Sequence, residues 1–130
     1  MKKKVLTVDD EYQMRDFIST LLLENDYAPL QAKNGEEALA IVKEEKPDLI
    51  ILDVLMPEKS GIKLYRELKN NEGLKEIPVI ICSGVAKRTF LRSLDGPGKS
   101  DGGGLPQPEG YIEKPVKPAI LVKTLKELIG

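Results

Sequence analysis

Asp48-Leu49-Ile50-Ile51-Leu52-Asp53 sets four apolar residues between two carboxylates, with no polar residue to offer solvent on either face. A run this short and wholly apolar reads as a strand buried on both sides, which requires helices above and below a parallel sheet. Val79-Ile80-Ile81-Cys82 repeats the pattern. Further short runs at Lys4–Val8, Ala28–Ala32 and Tyr111–Glu113 complete a set of five, mostly separated by segments of helical periodicity. Strand alternating with helix predicts a doubly wound α/β sandwich.

The intervening segments carry their own signals. Over Glu11–Asn25, Met14, Phe17, Ile18, Leu21 and Leu22 form an apolar stripe opposite Arg15, Asp16 and Glu24. Asn34 is placed to cap a helix that has Glu36 and Glu37 in its first turn, buries Ala38, Leu39, Ile41 and Val42, and stops before Pro47. Ser60 is expected to cap a third helix through Asn70, with Ile62, Leu64, Tyr65 and Leu68 inward. Pro118 and Gly130 bracket a last helix containing Ile120, Leu121, Leu125 and Leu128. After a helical fragment at Ala86–Leu94, Asp95–Gly110 is so rich in glycine and proline that no helix survives it. The fourth crossover should be a short helix followed by a long flexible loop. Too few residues follow for a second core, so residues 1–130 are expected to form one domain.

The 130 residues are 41% hydrophobic and 32% charged, with a net charge of −1, the balance of a soluble globular chain. The one concentration of positive charge, Lys2-Lys3-Lys4, is too short for a nucleic-acid footprint. The N-terminus lacks the apolar core of a signal peptide, and no segment approaches membrane-spanning length. A cytoplasmic protein without nucleic-acid binding or membrane insertion is expected. Cys82, the lone cysteine, reads as a core residue.

In open parallel sheets, ligands bind at the carboxyl ends of the strands. Here the first strand ends Val8-Asp9-Asp10, the third Leu52-Asp53, the fourth Cys82-Ser83-Gly84 and the fifth Glu113-Lys114-Pro115. Three carboxylates, a hydroxyl and an ammonium therefore converge on one edge. Carboxylates brought together repel unless a cation stabilises their charged forms. Lys114 supplies one charge, and the remaining deficit suits a hard, oxygen-bound cation such as Mg²⁺. With no histidine in the chain and its cysteine elsewhere, a zinc site is disfavoured. A carboxylate beside Mg²⁺ can attack a phosphoryl group to give an acyl phosphate. Adjacent acids after the first strand fit neither the Asp-x-Asp nucleophile of a haloacid-dehalogenase-like phosphatase nor the hydroxyl- and glycine-rich phosphate loop of a flavodoxin-like cofactor carrier.

These pieces, in this order, resemble the receiver domain of two-component response regulators, especially its small single-domain members such as the chemotaxis regulator. Val5-Leu6-Thr7-Val8-Asp9-Asp10-Glu11 resembles the acidic-pair strand, and Asp48–Asp53 with Met56-Pro57 and Gly61 the phosphoacceptor segment. Ser83 matches the switch hydroxyl, and Tyr111-Ile112-Glu113-Lys114-Pro115 the switch aromatic and the lysine. The resemblance covers nearly the whole chain and implies a flavodoxin-like three-layer sandwich with strand order 2-1-3-4-5. It implies Asp53 as phosphoacceptor, with Asp10, Asp53 and the Leu55 carbonyl holding Mg²⁺ and Asp9 acting largely through bound water. Lys114 and Ser83 would contact phosphoryl oxygens, and Tyr111 would turn inward as Ser83 moves. The Lys114-Pro115 bond is expected to be cis. A histidine kinase would be the donor. A downstream protein effector or a phosphotransfer protein would read the output; the chain would be a signalling module, catalysing only its own phosphorylation and dephosphorylation. A docking module that works without phosphorylation is the alternative, though such modules lose the acids. The Met1 start and complete last helix favour a stand-alone chain over a piece excised from a longer regulator or hybrid kinase.

The departure from the family pattern lies between Ser83 and Lys114, where the glycine- and proline-rich stretch lengthens the chain and displaces most of a fourth helix. It is expected to stay mobile until phosphate or a partner orders it. Leu55 and Val85, two residues after Asp53 and Ser83, are both apolar; they should hinder an attacking water and lengthen the life of a phospho-form.

Overall fold

The computed structural model describes residues 2–94 and 105–130. Its elements are β1 (Lys4–Val8), α1 (Tyr12–Glu24), β2 (Ala28–Ala32), α2 (Gly35–Glu45), β3 (Leu49–Leu52), α3 (Ser60–Asn70), β4 (Val79–Ser83), α4 (Lys87–Leu94), β5 (Gly110–Glu113) and α5 (Pro118–Ile129). The strands form one parallel sheet in the order β2-β1-β3-β4-β5, the doubly wound arrangement expected.

Alternation along the strands divides the core. Leu6, Val8, Ile50, Leu52, Val79 and Ile81 face one layer, where Ala38, Val42, Leu64, Tyr65, Leu68 and Phe90 from α2, α3 and α4 cover them. Val5, Leu49, Ile51, Ile80, Cys82 and Ile112 face the other, covered by Ile18 and Leu22 of α1 and Leu121 and Leu125 of α5. The wholly apolar run of β3 thus has helices on both sides, as parallel pairing demands. Pro29 is tolerated because β2 lies at the sheet edge.

The helix boundaries follow local chemistry in part. Asn34 Oδ1 accepts the Glu37 N–H at 2.8 Å, the expected cap, and Lys46 ends α2 in the left-handed region at φ 47° ahead of Pro47. Ser60 does not cap α3. A 3₁₀ turn over Pro57–Lys59 precedes it, so Ser60 already has helical φ/ψ of −62° and −28°, and its buried hydroxyl has no partner among the described residues. Phe17 is also displaced from its expected role: it is 41% exposed, because the sheet covers only the narrower stripe of Ile18 and Leu22. Helix α4 is short, eight residues, as the composition required. Of the stretch read as a flexible loop, residues 95–104 lie outside the described residues. Gly110 opens β5 rather than closing that loop, pairing with Ile80 where a Cβ would press on Thr124 Cγ2 at 3.1 Å and Ile80 Cγ1 at 3.2 Å.

Candidate functional site

The site is built by strand register. Val8 of β1 is level with Leu52 of β3, and the Asp53 N–H donates to the Val8 carbonyl at 3.0 Å, so Asp9 and Asp53 leave the sheet side by side. Both are nearly buried, at 2% and 5% exposure, whereas Asp10 is exposed. Ser83 at the end of β4 is level with Glu113 of β5, and its carbonyl accepts the Lys114 N–H at 2.8 Å. Lys114 is thereby aimed back across the sheet end, where its Nζ donates to Asp9 Oδ2 at 3.1 Å and Asp53 Oδ2 at 3.2 Å. Glu11 lies farther out, 3.7 Å from the same ammonium.

The other carboxylate oxygens are held by backbone. Asp9 Oδ1 accepts the Glu11 N–H and Asp53 Oδ1 the Leu55 N–H, each at 2.9 Å. Burial lifts the Asp9 carboxyl above its ordinary value; the Glu11 N–H and the Lys114 ammonium oppose the rise without cancelling it, and the Asp53 charge adds to it. Burial alone would lower the Lys114 ammonium, but Asp9 and Asp53 outweigh it and hold the group above its ordinary value. One ammonium shared between two buried carboxylates leaves negative charge uncompensated.

Asp9, Asp10 and Asp53 each offer a carboxylate oxygen, all within 4.8 Å of one another. A compact, anionic set of oxygen donors at a partly open position fits a hard divalent cation that keeps some of its water, such as Mg²⁺. Leu55 belongs to the same loop; its side chain is 62% exposed and its Cδ1 comes to 4.0 Å of where a Cβ on Gly84 would stand, leaning toward the β4–α4 turn.

Ser83 and Tyr111 occupy a second tier, joined through Val85. Ser83 is fully buried, and its Oγ accepts the Val85 N–H at 3.2 Å. The Tyr111 hydroxyl donates to the Val85 carbonyl at 2.5 Å, and its ring packs on Phe90 of α4 with centroids 5.7 Å apart. Tyr111 therefore already lies half-buried against the core, without touching the carboxylates. In the sequence Val85 is notable only for its apolar side chain; in the fold its backbone N–H and C=O, in consecutive peptide groups, join hydroxyl to aromatic. Gly61 has a comparable hidden role: a Cβ there would stand 2.4 Å from the Asp53 carbonyl oxygen and 2.6 Å from Val54 Cα, so α3 meets the Asp53 loop backbone to backbone. Its place in the motif was legible, but not this contact. The Lys114-Pro115 bond is cis, as expected.

Comparison with known proteins places the chain in a family. The response regulator receiver domain family model matches residues 5–100. The chain is 32% identical to the polar-differentiation response regulator DivK of Brucella anthropi, over 100% of this chain and 98% of that one. It is 36% identical to the phosphate regulon transcriptional regulatory protein PhoB of Pseudomonas aeruginosa over 98% of its own length, but spans only 52% of PhoB. Among solved structures, the chemotaxis protein CheY4 of Vibrio cholerae superposes with a TM-score of 0.81 at 29% identity, covering 99% of this chain and 100% of that one. A receiver domain of a histidine kinase from Syntrophus aciditrophicus gives 0.79 at 34% identity, covering 98% and 89%. With the sheet order, the strand-end acids and these likenesses in agreement, the chain belongs to the response regulator receiver domain family of two-component signalling.

Proposed function

We propose that Asp53 accepts a phosphoryl group from a histidine kinase, with Mg²⁺ held by Asp10, Asp53 and the Leu55 carbonyl and by Asp9 largely through bound water, and that the change reaches a protein-binding surface. The observation that carries this reading is the Lys114 ammonium bridging Asp9 and Asp53 at 3.1 and 3.2 Å in a pocket that still has carboxylate charge to spare. In the transfer, an Asp53 carboxylate oxygen forms a P–O bond as the donor's P–N bond breaks, and the departing imidazole takes its proton from water. Bound Mg²⁺ would supply positive charge to the phosphoryl oxygens in flight. Lys114 donates to one of those oxygens and so offsets the repulsion between them and the carboxylates. Ser83 donates to another: among the described residues its Oγ only accepts, from Val85, so its own hydrogen remains available.

Moving Ser83 disturbs the Val85 N–H, and the Tyr111 hydroxyl is bonded to the carbonyl of the same residue, in the next peptide group. The site and the α4–β5 surface are thus linked by two hydrogen bonds, the element that phosphorylation would bias. Residues 1–130 act in this reading as one receiver unit in the cytoplasm, with a protein effector or phosphotransfer protein downstream. No helix among the described residues is long and apolar enough to cross a membrane.

Intact mass after incubation with phosphoramidate or acetyl phosphate, with and without Mg²⁺, tests the proposal. Wild type should gain one phosphoryl group only with Mg²⁺, and Asp53→Asn none. No gain in wild type under any condition would refute phosphoacceptance and leave a docking module as the better account.

A further inference from the structure

Asp10 is the exposed member of the acidic cluster, and no hydrogen bond or ion pair among the described residues fixes its carboxylate. What directs it is the backbone. The Asp9 N–H donates to the Ala32 carbonyl of β2 at 3.1 Å, which holds the near side of the loop. The far side, the peptide leading from Asp9 into Asp10, is held by Arg15, whose Nη1 donates to the Asp9 carbonyl at 2.8 Å.

Arg15 is itself fixed from several directions. Its Nε donates to Gln31 Oε1 of β2 at 3.2 Å, its guanidinium carbon lies 5.7 Å from the Tyr12 ring centroid, and its backbone N–H bonds the Glu11 carbonyl in the first turn of α1. A planar fork of donors can serve an amide oxygen and a backbone carbonyl together, which a lysine ammonium on a flexible stem does not reproduce. The half-buried guanidinium bonds the acidic loop through a carbonyl and not through a carboxylate, so it occupies none of the oxygens a cation needs.

We propose that Arg15 is a positioning residue for the cation site: by holding the Asp9 carbonyl it orients Asp10, and thereby the three-carboxylate arrangement that receives Mg²⁺. The inference rests on the reading of that cluster as a Mg²⁺ site. Two effects of Arg15 oppose each other, which makes the test decisive. As a positive charge near the cluster it repels a cation, so its removal would tighten Mg²⁺ binding; as a support it aligns the ligands, so its removal would loosen it. Outer-shell partners of metal ligands are typically worth about 10- to 100-fold in affinity, enough to outweigh a partly screened charge.

Mg²⁺ titration by calorimetry on the full chain, for wild type, Arg15→Met and Arg15→Lys, separates the two. Both variants should bind Mg²⁺ at least about tenfold more weakly, because Arg15→Lys keeps the charge but loses the fork, and Arg15→Met loses both. Phosphorylation from phosphoramidate should show the Mg²⁺ half-saturation raised by the same factor, with the rate at saturating Mg²⁺ and the metal-free Tm little changed. Tighter binding in Arg15→Met, or wild-type affinity in Arg15→Lys, would overturn the proposal. So would a loss of saturating rate and Tm together with unchanged half-saturation, the mark of a merely structural residue. Absence of Mg²⁺ binding in wild type would overturn the reading of the site, and this proposal with it.

Discussion

Glu109→Ala should destabilise the protein far more than Lys69→Met, although the two residues form one ion pair. Lys69 lies on α3 with its side chain only 2% exposed, and its Nζ sits 3.1 and 3.2 Å from the Glu109 carboxylate oxygens. Its remaining acceptors among the described residues are the carbonyls of Lys75 and Ile77, both at 3.4 Å. Glu109 Oε1 also accepts the Val79 N–H at 2.8 Å, where β4 begins one residue before its pairing with β5. Removing Glu109 therefore strands a buried ammonium on two long contacts and orphans a backbone donor. Breaking a buried pair this way costs about 3–5 kcal/mol. Since Glu109 is itself 37% exposed and water can reach the vacated place, about 2–3 kcal/mol is expected. Lys69→Met removes the charge that needed compensation and fills most of its volume, while Glu109 keeps Val79 and solvent, so the cost should stay within about 1 kcal/mol. The double variant should then be more stable than Glu109→Ala alone. Urea unfolding at neutral pH measures all three, and a Lys69→Met cost equal to or above that of Glu109→Ala would refute the reasoning.

Gly61→Ala should cost about 1–3 kcal/mol and slow phosphorylation, because the atoms a Cβ meets are backbone and cannot rotate away; Gly73→Ala, whose nearest neighbour is Asn71 Oδ1 at 3.4 Å, is the control that should do neither. Burial pushes the Cys82 thiol from 9.0 up to about 12, so the folded state keeps a proton that the unfolded chain releases. Stability is therefore lost as pH rises above 9.0, by about 2 kcal/mol between pH 8 and about pH 10.5 from this group alone; Cys82→Ala should show a correspondingly shallower alkaline decline, and parallel curves would contradict the assignment. The phospho-form should outlast seconds, and Leu55→Asn should shorten its life several-fold by admitting water beside Asp53. Loss of label from the wild type within seconds would rule that out.

Much of the fold was legible because its signals are local or periodic. The apolar runs at Leu49–Leu52 and Val79–Cys82 dictate two-sided burial wherever they sit, and Asn34 caps α2 through a partner three residues away. Strand ends are where doubly wound sheets gather ligands, so Asp9, Asp10, Asp53, Ser83 and Lys114 stood out as a group before any distance was known. Ser60 misled because the same residue type serves a cap or a helix interior, and the Pro57–Lys59 turn before it decides which. What only the tertiary structure decided are contacts between residues distant in sequence. Lys114 is 105 positions from Asp9, Glu109 is 40 from Lys69, and Tyr111 is 26 from Val85. Arg15 looked like one more polar residue on an exposed helix face until the register of β1 against β2 brought the Asp9 carbonyl and Gln31 to its guanidinium. Composition and period specify which elements form and which face each buries, but pairings of this kind exist only once the sheet has closed.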